Sequence, residues 1–145
     1  MRILGIDPGD KNIGVALSDP TGTIANPLTL VAHVSRPIDA ATIAQLAREN
    51  NVSKIILGQS FDLDGKPNFQ GRKAARLAAA IRTQTEIPVE LWDEAYSTQQ
   101  ARGARIAMGT TQSKRKGHLD ELAATVILQS YLDSKPQTAG NDPAQ

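Results

Sequence analysis

The order of short β-type segments at the N-terminus is the feature that most restricts the fold of this chain. Apolar runs predict strands over residues 2–7, 14–19 and within 23–33, and only short, turn-rich links separate them. Such links join antiparallel neighbours, because parallel strands need a long crossover connection. The N-terminal part of the chain is therefore predicted to form an antiparallel meander.

The rest of the chain alternates between helical and strand periodicity. The predicted segments are helices over 38–50, 71–84 and 118–133 and strands over 52–57 and 88–92. A capping box at Ser97 and Gln100 predicts one further helix, which ends near Gly109. Strands that alternate with helices are parallel. The expected fold is therefore α/β, with a mixed five-stranded sheet flanked by helices.

Composition limits the chemistry and the location. The chain has 145 residues, 40% of them apolar, which fits one domain over residues 1–133. The polar tail 134–145 is predicted to be disordered. Cysteine is absent, which excludes disulfides, thiolate zinc sites and cysteine nucleophiles and suits the cytoplasm, the expected location. No apolar run approaches the roughly 20 residues that span a bilayer, so no membrane partner is expected.

Three carboxylates stand at the ends of predicted elements. Asp7 closes the first strand, Glu94 follows the last strand, and Asp120 lies in the first turn of the last helix. Each has an ordinary explanation, because acids are common in turns and loops and interact favourably with a helix N-terminus. Strand ends on one side of a sheet also converge on one site, so the three are candidates for a single cluster.

Such a cluster would need cations, because neighbouring carboxylates repel one another. Oxygen ligands without cysteine or paired histidine suit Mg²⁺ or Mn²⁺ rather than zinc. Two such ions about 4 Å apart can activate water and stabilise the leaving oxygen in phosphodiester hydrolysis. Asp7, Glu94 and Asp120 are therefore candidate ligands for two ions.

Basic side chains are grouped, although the formal net charge is only +1. The predicted contacts to nucleic-acid phosphates are Arg102, Lys114, Arg115 and Lys116 in one group and Arg72, Lys73 and Arg76 in a second. The alternative for 114–116 is a solvated basic loop that only aids solubility.

Three motifs, in order, resemble the YqgF family, whose RuvX-type members are described as Holliday junction resolvases and ribosomal RNA precursor nucleases. They are the opening strand pair at 5–9 and 11–16, the pair Asp93-Glu94 with Ser97-Thr98, and Asp120 with the helical segment 123–132. The resemblance extends over residues 2–133. It implies an RNase H-like fold and catalysis by Asp7, Glu94 and Asp120.

The resemblance also implies a structured nucleic acid as the partner. Two substrates stay open, namely the small-subunit (pre-16S) ribosomal RNA precursor, processed at its 5′ end, and branched DNA such as a Holliday junction. Both a monomer and a homodimer stay open as well, although cutting two strands of a junction symmetrically would favour the dimer.

The sequence departs from the family at three places. Asn12 and Ala95 stand where the family usually has Arg, and residues 59–60 (Gln-Ser) replace its usual Leu-Pro. An arginine beside the catalytic Glu would contact substrate or stabilise charge that develops in the transition state. Lys11 and Arg102 are the nearest cations in sequence that could substitute for it.

Two other functions fit parts of this pattern. Sugar kinases and actin-like ATPases also open with an Asp-x-Gly hairpin, but they need two such domains around a nucleotide, and this chain has room for one. A non-catalytic nucleic-acid-binding module on the same fold is favoured by the missing arginines. A metal-dependent nuclease accounts best for the three carboxylates.

Overall fold

The protein alternates strands and helices as the sequence predicts. A computed structural model describes residues 1–96 and 119–135, with the side chains of the last helix described from Leu122 onward. The elements are β1 (Arg2–Pro8), β2 (Asn12–Ser18), β3 (Ala25–Ala32), α1 (Arg36–Glu49), β4 (Val52–Gln59), α2 (Phe69–Arg82), β5 (Val89–Asp93) and α3 (Leu119–Ser134). The predicted helix that follows Ser97, the basic loop 110–117 and residues 136–145 of the predicted tail lie outside the described residues.

The strands of the described region form one mixed sheet in the order β3-β2-β1-β4-β5. Strand β2 pairs antiparallel with both β1 and β3, whereas β4 pairs parallel with both β1 and β5. The predicted meander, the parallel strands and the mixed five-stranded sheet are thus confirmed. Because β1, β4 and β5 run in one direction, their carboxyl ends lie at the same edge of the sheet.

Helices cover both faces of the sheet. On one face, α1 and α2 pack on alternate side chains of the central strands, in a cluster that includes Leu4, Ile6, Ile55, Leu57, Ile43, Leu77 and Ile81. On the other face, α3 packs on the intervening positions, in a cluster that includes Ile3, Ala16, Ile56, Ala124, Leu128 and Tyr131. No helix within residues 1–96 and 119–135 is long and apolar enough to cross a membrane.

Polar caps set where the first two helices begin. The Ser35 side chain accepts the N–H of Ile38 and a proline occupies the first turn, so α1 begins two residues before the predicted start. The Asn68 side chain accepts the N–H of Gly71 at 2.8 Å, and α2 likewise begins two residues early. The predicted boundaries rest on the periodicity of apolar residues, which carries no information about polar capping residues.

Helix α3 rests directly on the backbone of the two central strands. A Cβ atom at Gly5 would lie 2.6 Å from Cβ of Leu128, and one at Gly58 would lie 2.7 Å from Cδ1 of Ile127. Such distances are too short for carbon atoms in contact. The two glycines therefore allow a closer approach of helix to sheet than any other residue would.

Replacing Gly5 by Ala should lower the free energy of unfolding by about 1–3 kcal/mol, the usual cost of overpacking. Gly58→Ala should cost less, because the atom that its new methyl group meets is the end of the flexible Ile127 side chain. Removing that atom with Ile127→Val should partly rescue Gly58→Ala. Urea denaturation of the three variants measures this order, and an equal or smaller loss in Gly5→Ala would contradict it.

Candidate active site

Asp7 lies at the carboxyl edge of the central strand β1 and is partly buried. Side chains alternate along a strand, so Asp7 is on the same face of the sheet as Gly5, the face that α3 covers. The chain turns directly afterwards. A Cβ at Gly9 would collide with the carbonyl oxygen of Asn12, so the turn requires a glycine there. A paired strand on one side and a tight turn on the other thus fix the backbone of Asp7.

Glu94 follows β5 directly, at the same edge of the sheet as Asp7. Leu57 of β4 is the Cα partner of Ile6 of β1. The next residue of each strand, Gly58 and Asp7, therefore lie side by side. Oε2 of Glu94 lies 3.6 Å from the position that a Cβ at Gly58 would occupy. The Glu94 carboxylate thus lies over the bare backbone of the strand next to Asp7.

Burial raises the pKa of the Glu94 carboxyl above its ordinary value, and the neighbouring Asp93 carboxylate raises this pKa further. Asp93 has a separate, local role, because its Oδ1 accepts the N–H of Ala95 at 2.9 Å and so stabilises the turn after β5. The charge of Glu94 is therefore held in a partly desolvated place.

The first turn of α3 carries Asp120, whose side chain lies outside the described part of the structure. One helical turn later, the carbonyl oxygen of Ala124 lies 3.4 Å from the Cβ position of Gly5. Near the other end of the helix, the hydroxyl of Tyr131 accepts a hydrogen bond from Nζ of Lys54, near the start of β4, at 2.9 Å. Helix α3 therefore runs from the carboxyl edge of the sheet, where its first turn lies, toward the amino edge.

Among the described side chains, no three acidic or histidine residues are close enough together to hold a metal ion. The side chains of Asp7 and Glu94 are among those described, whereas the side chain of Asp120 is not. The structure brings the first two to one edge of the sheet and directs the helix of the third toward it. The three-carboxylate cluster itself stays a prediction.

Residues 59–60, a Gln-Ser pair, tie the end of β4 to the start of α2. Nε2 of Gln59 donates to the carbonyl oxygen of Gly71 at 3.1 Å, and the Ser60 hydroxyl donates to Oδ1 of Asn68, the α2 cap, at 2.7 Å. The carbonyl oxygen of Gln59 also accepts the N–H of Glu94 at 3.0 Å. The Gln-Ser pair therefore fixes the loop that supports Glu94.

The predicted phosphate contacts fall partly within the described structure. Lys11 is exposed in the turn after β1, and Arg72 and Arg76 are exposed on α2. Lys73 forms an ion pair with Asp10 at 2.8 Å, and this hydrogen bond is the main reason why the pKa of Asp10 is lowered. The remaining predicted contacts, which lie outside the described residues, are Arg102, Lys114, Arg115 and Lys116. All of these contacts stay predictions.

The sequence did not predict a pairing between His33 and Asp39. Asp39 is 2% exposed, and its carboxylate accepts the N–H of Val34 at 3.0 Å and bonds to Nδ1 of His33. An acid in the first turn of a helix capped by Ser35 is a weak signal for such a role. Nothing in the spacing of the residues identifies the histidine as its partner.

Comparisons with known proteins agree with the resemblance seen in the motifs. The chain matches the family model RuvX, described as Holliday junction resolvase, over residues 1–134. It is 44% identical over 137 residues to a protein of Syntrophus aciditrophicus named "Putative pre-16S rRNA nuclease", which covers 94% of this chain and 91% of that protein. A relative of the same name from Caldanaerobacter subterraneus is 40% identical over 136 residues, covering 93% and 98%.

Solved structures share the fold at low sequence identity. T. thermophilus RuvC in complex with a Holliday junction substrate has a TM-score of 0.59 at 18% identity, covering 92% of this chain and 95% of that one. The fowlpox virus resolvase in complex with Holliday junction DNA has a TM-score of 0.55 at 16% identity, covering 92% and 98%. The predicted RNase H-like fold is thereby confirmed. Because the family model spans nearly the whole chain and both relatives are at least 40% identical to it, the protein belongs to the RuvX family of nucleases.

Proposed function

We propose that this chain is a divalent-metal-dependent nuclease that hydrolyses phosphodiester bonds, with Asp7, Glu94 and Asp120 as its catalytic carboxylates. The observation that carries this proposal is the position of the Glu94 carboxylate over Gly58, directly beside Asp7 at the carboxyl edge of the sheet. The packing of α3, whose first turn carries Asp120, supports the third member of the cluster.

The carboxylates fit a divalent cation. Burial disfavours the charged form of Glu94, and a bound cation would reverse that cost. Oxygen donors alone suit Mg²⁺ or Mn²⁺. When bound, two such ions lower the pKa of water and stabilise negative charge on the leaving oxygen. Asp7 and Glu94 would hold the ions on rigid strand ends, and the closely packed α3 would keep the Asp120 backbone in place.

Two substrates follow from the names of the relatives. The curated relatives are named for pre-16S rRNA, and the family and the structural neighbours are named for Holliday junctions. We propose 5′-end processing of the ribosomal RNA precursor, in the cytoplasm, as the main activity and junction cleavage as the second. Cleavage of a structured RNA and of a four-way DNA junction, assayed side by side with Mg²⁺ and Mn²⁺, tests both. Symmetric junction cleavage would favour a homodimer, which sedimentation would detect.

A non-catalytic nucleic-acid-binding module is the second candidate. It is favoured by Ala95, which is exposed beside Glu94 and carries no charge. Binding of either substrate without cleavage at any concentration of Mg²⁺ or Mn²⁺ would support this candidate and refute the nuclease.

Replacing Asp7 by Asn should reduce cleavage by at least about 10²-fold, the loss typical when one preorganised electrostatic group is removed. Folding should be preserved, and the free energy of unfolding should be unchanged or higher, because one of several like charges is lost. Asp133→Asn, an exposed acid at the far end of α3, is the matched control. If Asp7→Asn and Asp133→Asn cleave at comparable rates, Asp7 is not a catalytic residue.

Glu94→Gln should raise the free energy of unfolding near neutral pH when EDTA removes divalent cations. The pKa of Glu94 is raised in the folded state, so its charged form destabilises the fold at pH above that value. This cost is relieved as the pH falls through the folded-state pKa and is absent below about pH 4, where the unfolded chain is protonated as well. The difference in free energy of unfolding between Glu94→Gln and the wild type should therefore shrink as the pH falls.

Urea denaturation at a series of pH values measures this effect, with the exposed Glu86→Gln as the control. Added Mg²⁺ should stabilise the wild-type protein by mass action and the Glu94→Gln variant less. If Glu94→Gln and Glu86→Gln change the free energy of unfolding by the same amount at every pH, the electrostatic cost assigned to Glu94 is contradicted.

Lys11→Ala should reduce cleavage by about tenfold or more, the effect of losing one charge-assisted contact, and should reduce binding much less. Lys11 is the exposed cation nearest to Asp7 in sequence, and loss of transition-state stabilisation acts on the rate. Lys66→Ala, in the exposed β4–α2 loop, is the control. Ala95→Arg should raise the rate or leave it unchanged, and a clear fall in activity would show that this site differs from the family arrangement.

A further inference from the structure

A cavity of about 380 Å³ opens beside the carboxyl end of β1, on the face of the sheet that α1 and α2 cover. Pro8 and Gly9, the two residues after Asp7, form part of its wall, and Ile13 and Leu77 of the core also line it. Its volume lies within the range of small-ligand pockets. Asp7 is on the opposite face of β1, so the cavity adjoins the proposed active site and is separate from it.

Three basic side chains line this cavity from separate segments of the chain. They are His33 after β3, Arg36 at the start of α1, and Lys73 on α2. Arg36 forms no ion pair with any described residue. Lys73 is paired with Asp10, but the Asp10 side chain is 67% exposed. A pair so open to solvent is weak, and a phosphate can replace Asp10 as the partner of Lys73.

The His33 ring is held in a fixed orientation. Its Nδ1 bonds to the carboxylate of Asp39, which is 2% exposed and is itself fixed by the N–H of Val34. The backbone N–H of His33 donates to the carbonyl oxygen of Lys11 at 2.9 Å, which ties the ring to the turn after β1. Nε2 is the ring nitrogen that Asp39 does not engage. An imidazole positioned in this way loses little entropy when it binds a ligand.

The charges and walls of the cavity fit a sugar–phosphate unit. Asp39 is bonded to His33 and Asp10 is paired with Lys73, whereas Arg36 forms no ion pair with a described residue, so its positive charge is available to an anion. Apolar surface from Pro8, Ile13, Pro37 and Leu77 lies between these polar groups. Cations attract a phosphate, and apolar walls accept the carbon face of a sugar.

We propose that this cavity binds one phosphate of the substrate strand, together with its sugar, next to the phosphate that is cut. The inference rests on the proposed function and adds a positioning site to it. A strand that crosses the carboxyl edge of β1 would place one phosphate near Asp7, and its neighbouring unit would reach the cavity behind Pro8 and Gly9. Arg36 and Lys73 would neutralise that phosphate, while His33 would orient it.

The test measures nucleic-acid binding by full-length protein that carries Asp7→Asn, in EDTA, so that no strand is cut. The probes are a fluorescein-labelled four-way DNA junction and a labelled structured RNA, titrated over a range of salt concentrations. Arg36→Gln should reduce the slope of log affinity against log salt by about 0.7–0.9, the effect of one lost phosphate contact. Lys73→Gln should change the slope in the same direction.

Arg48→Gln is the matched control, because Arg48 lies in the last turn of the same helix, about 18 Å from Arg36 at 1.5 Å per residue. Its slope should equal that of the parent protein. A neutral methylphosphonate placed at successive junction positions locates the contact. At one position it should weaken binding by the parent protein and leave the affinity of Arg36→Gln unchanged.

Equal slopes in Arg36→Gln, Lys73→Gln and Arg48→Gln would overturn the proposal while leaving the nuclease proposal intact. Binding with normal slopes but no cleavage by the wild-type protein would refute only the nuclease. No binding of either probe by the parent protein would refute both. Inorganic phosphate tests whether the cavity binds a free phosphate instead of a phosphate of the substrate strand. If it raises the melting temperature of the parent protein but not of Arg36→Gln, while both bind the probes equally, the cavity holds a free phosphate and not a strand.

Discussion

The contact between α3 and the bare backbone of β1 and β4 is the interaction on which the rest of the site depends. Gly5 and Gly58 let Leu128 and Ile127 approach to distances that a side chain at either position would prevent. This packing fixes where the first turn of the helix lies relative to the carboxyl edge of the sheet. It also leaves the space over Gly58 in which the Glu94 carboxylate lies. The fold and the arrangement of the carboxylates therefore follow from the same close approach.

That arrangement has an electrostatic cost. Glu94 is partly buried next to Asp93, and both burial and the neighbouring charge raise its pKa. A protein selected for stability alone would gain from a neutral residue here. The backbone hydrogen bond to Gln59 and the contacts of the β4–α2 loop hold Glu94 in place despite this cost. A carboxylate kept where it is destabilising is typical of functional sites, and a bound cation would remove the cost.

Local patterns predicted most of the fold. Short turns identified the meander and periodicity identified the alternating helices and strands, because both depend on neighbours in sequence. The predicted starts of α1 and α2 were each two residues too late, because periodicity does not reveal the side-chain hydrogen bonds by which Ser35 and Asn68 cap these helices. Asp7 and Glu94 could be assigned to one edge because strand direction follows from connectivity. The pairing of His33 with Asp39 could not be predicted, because it depends on how a loop packs and not on any period.

The described cations near the carboxyl edge bear on Ala95, where the resemblance to the family predicts an arginine. Ala95 is exposed, and its N–H donates to Oδ1 of Asp93 in the turn after β5, so this residue itself supplies no positive charge next to Glu94. The cavity on the other face of β1 carries Arg36 and Lys73. Under the proposed phosphate site, Arg36 and Lys73 bring positive charge to the substrate from the side of α1 and α2, while Asp7 and Glu94 lie on the side of α3. The two proposals therefore divide binding and hydrolysis between the two faces of β1, and under them a substitution on one face changes affinity without changing the geometry of the other.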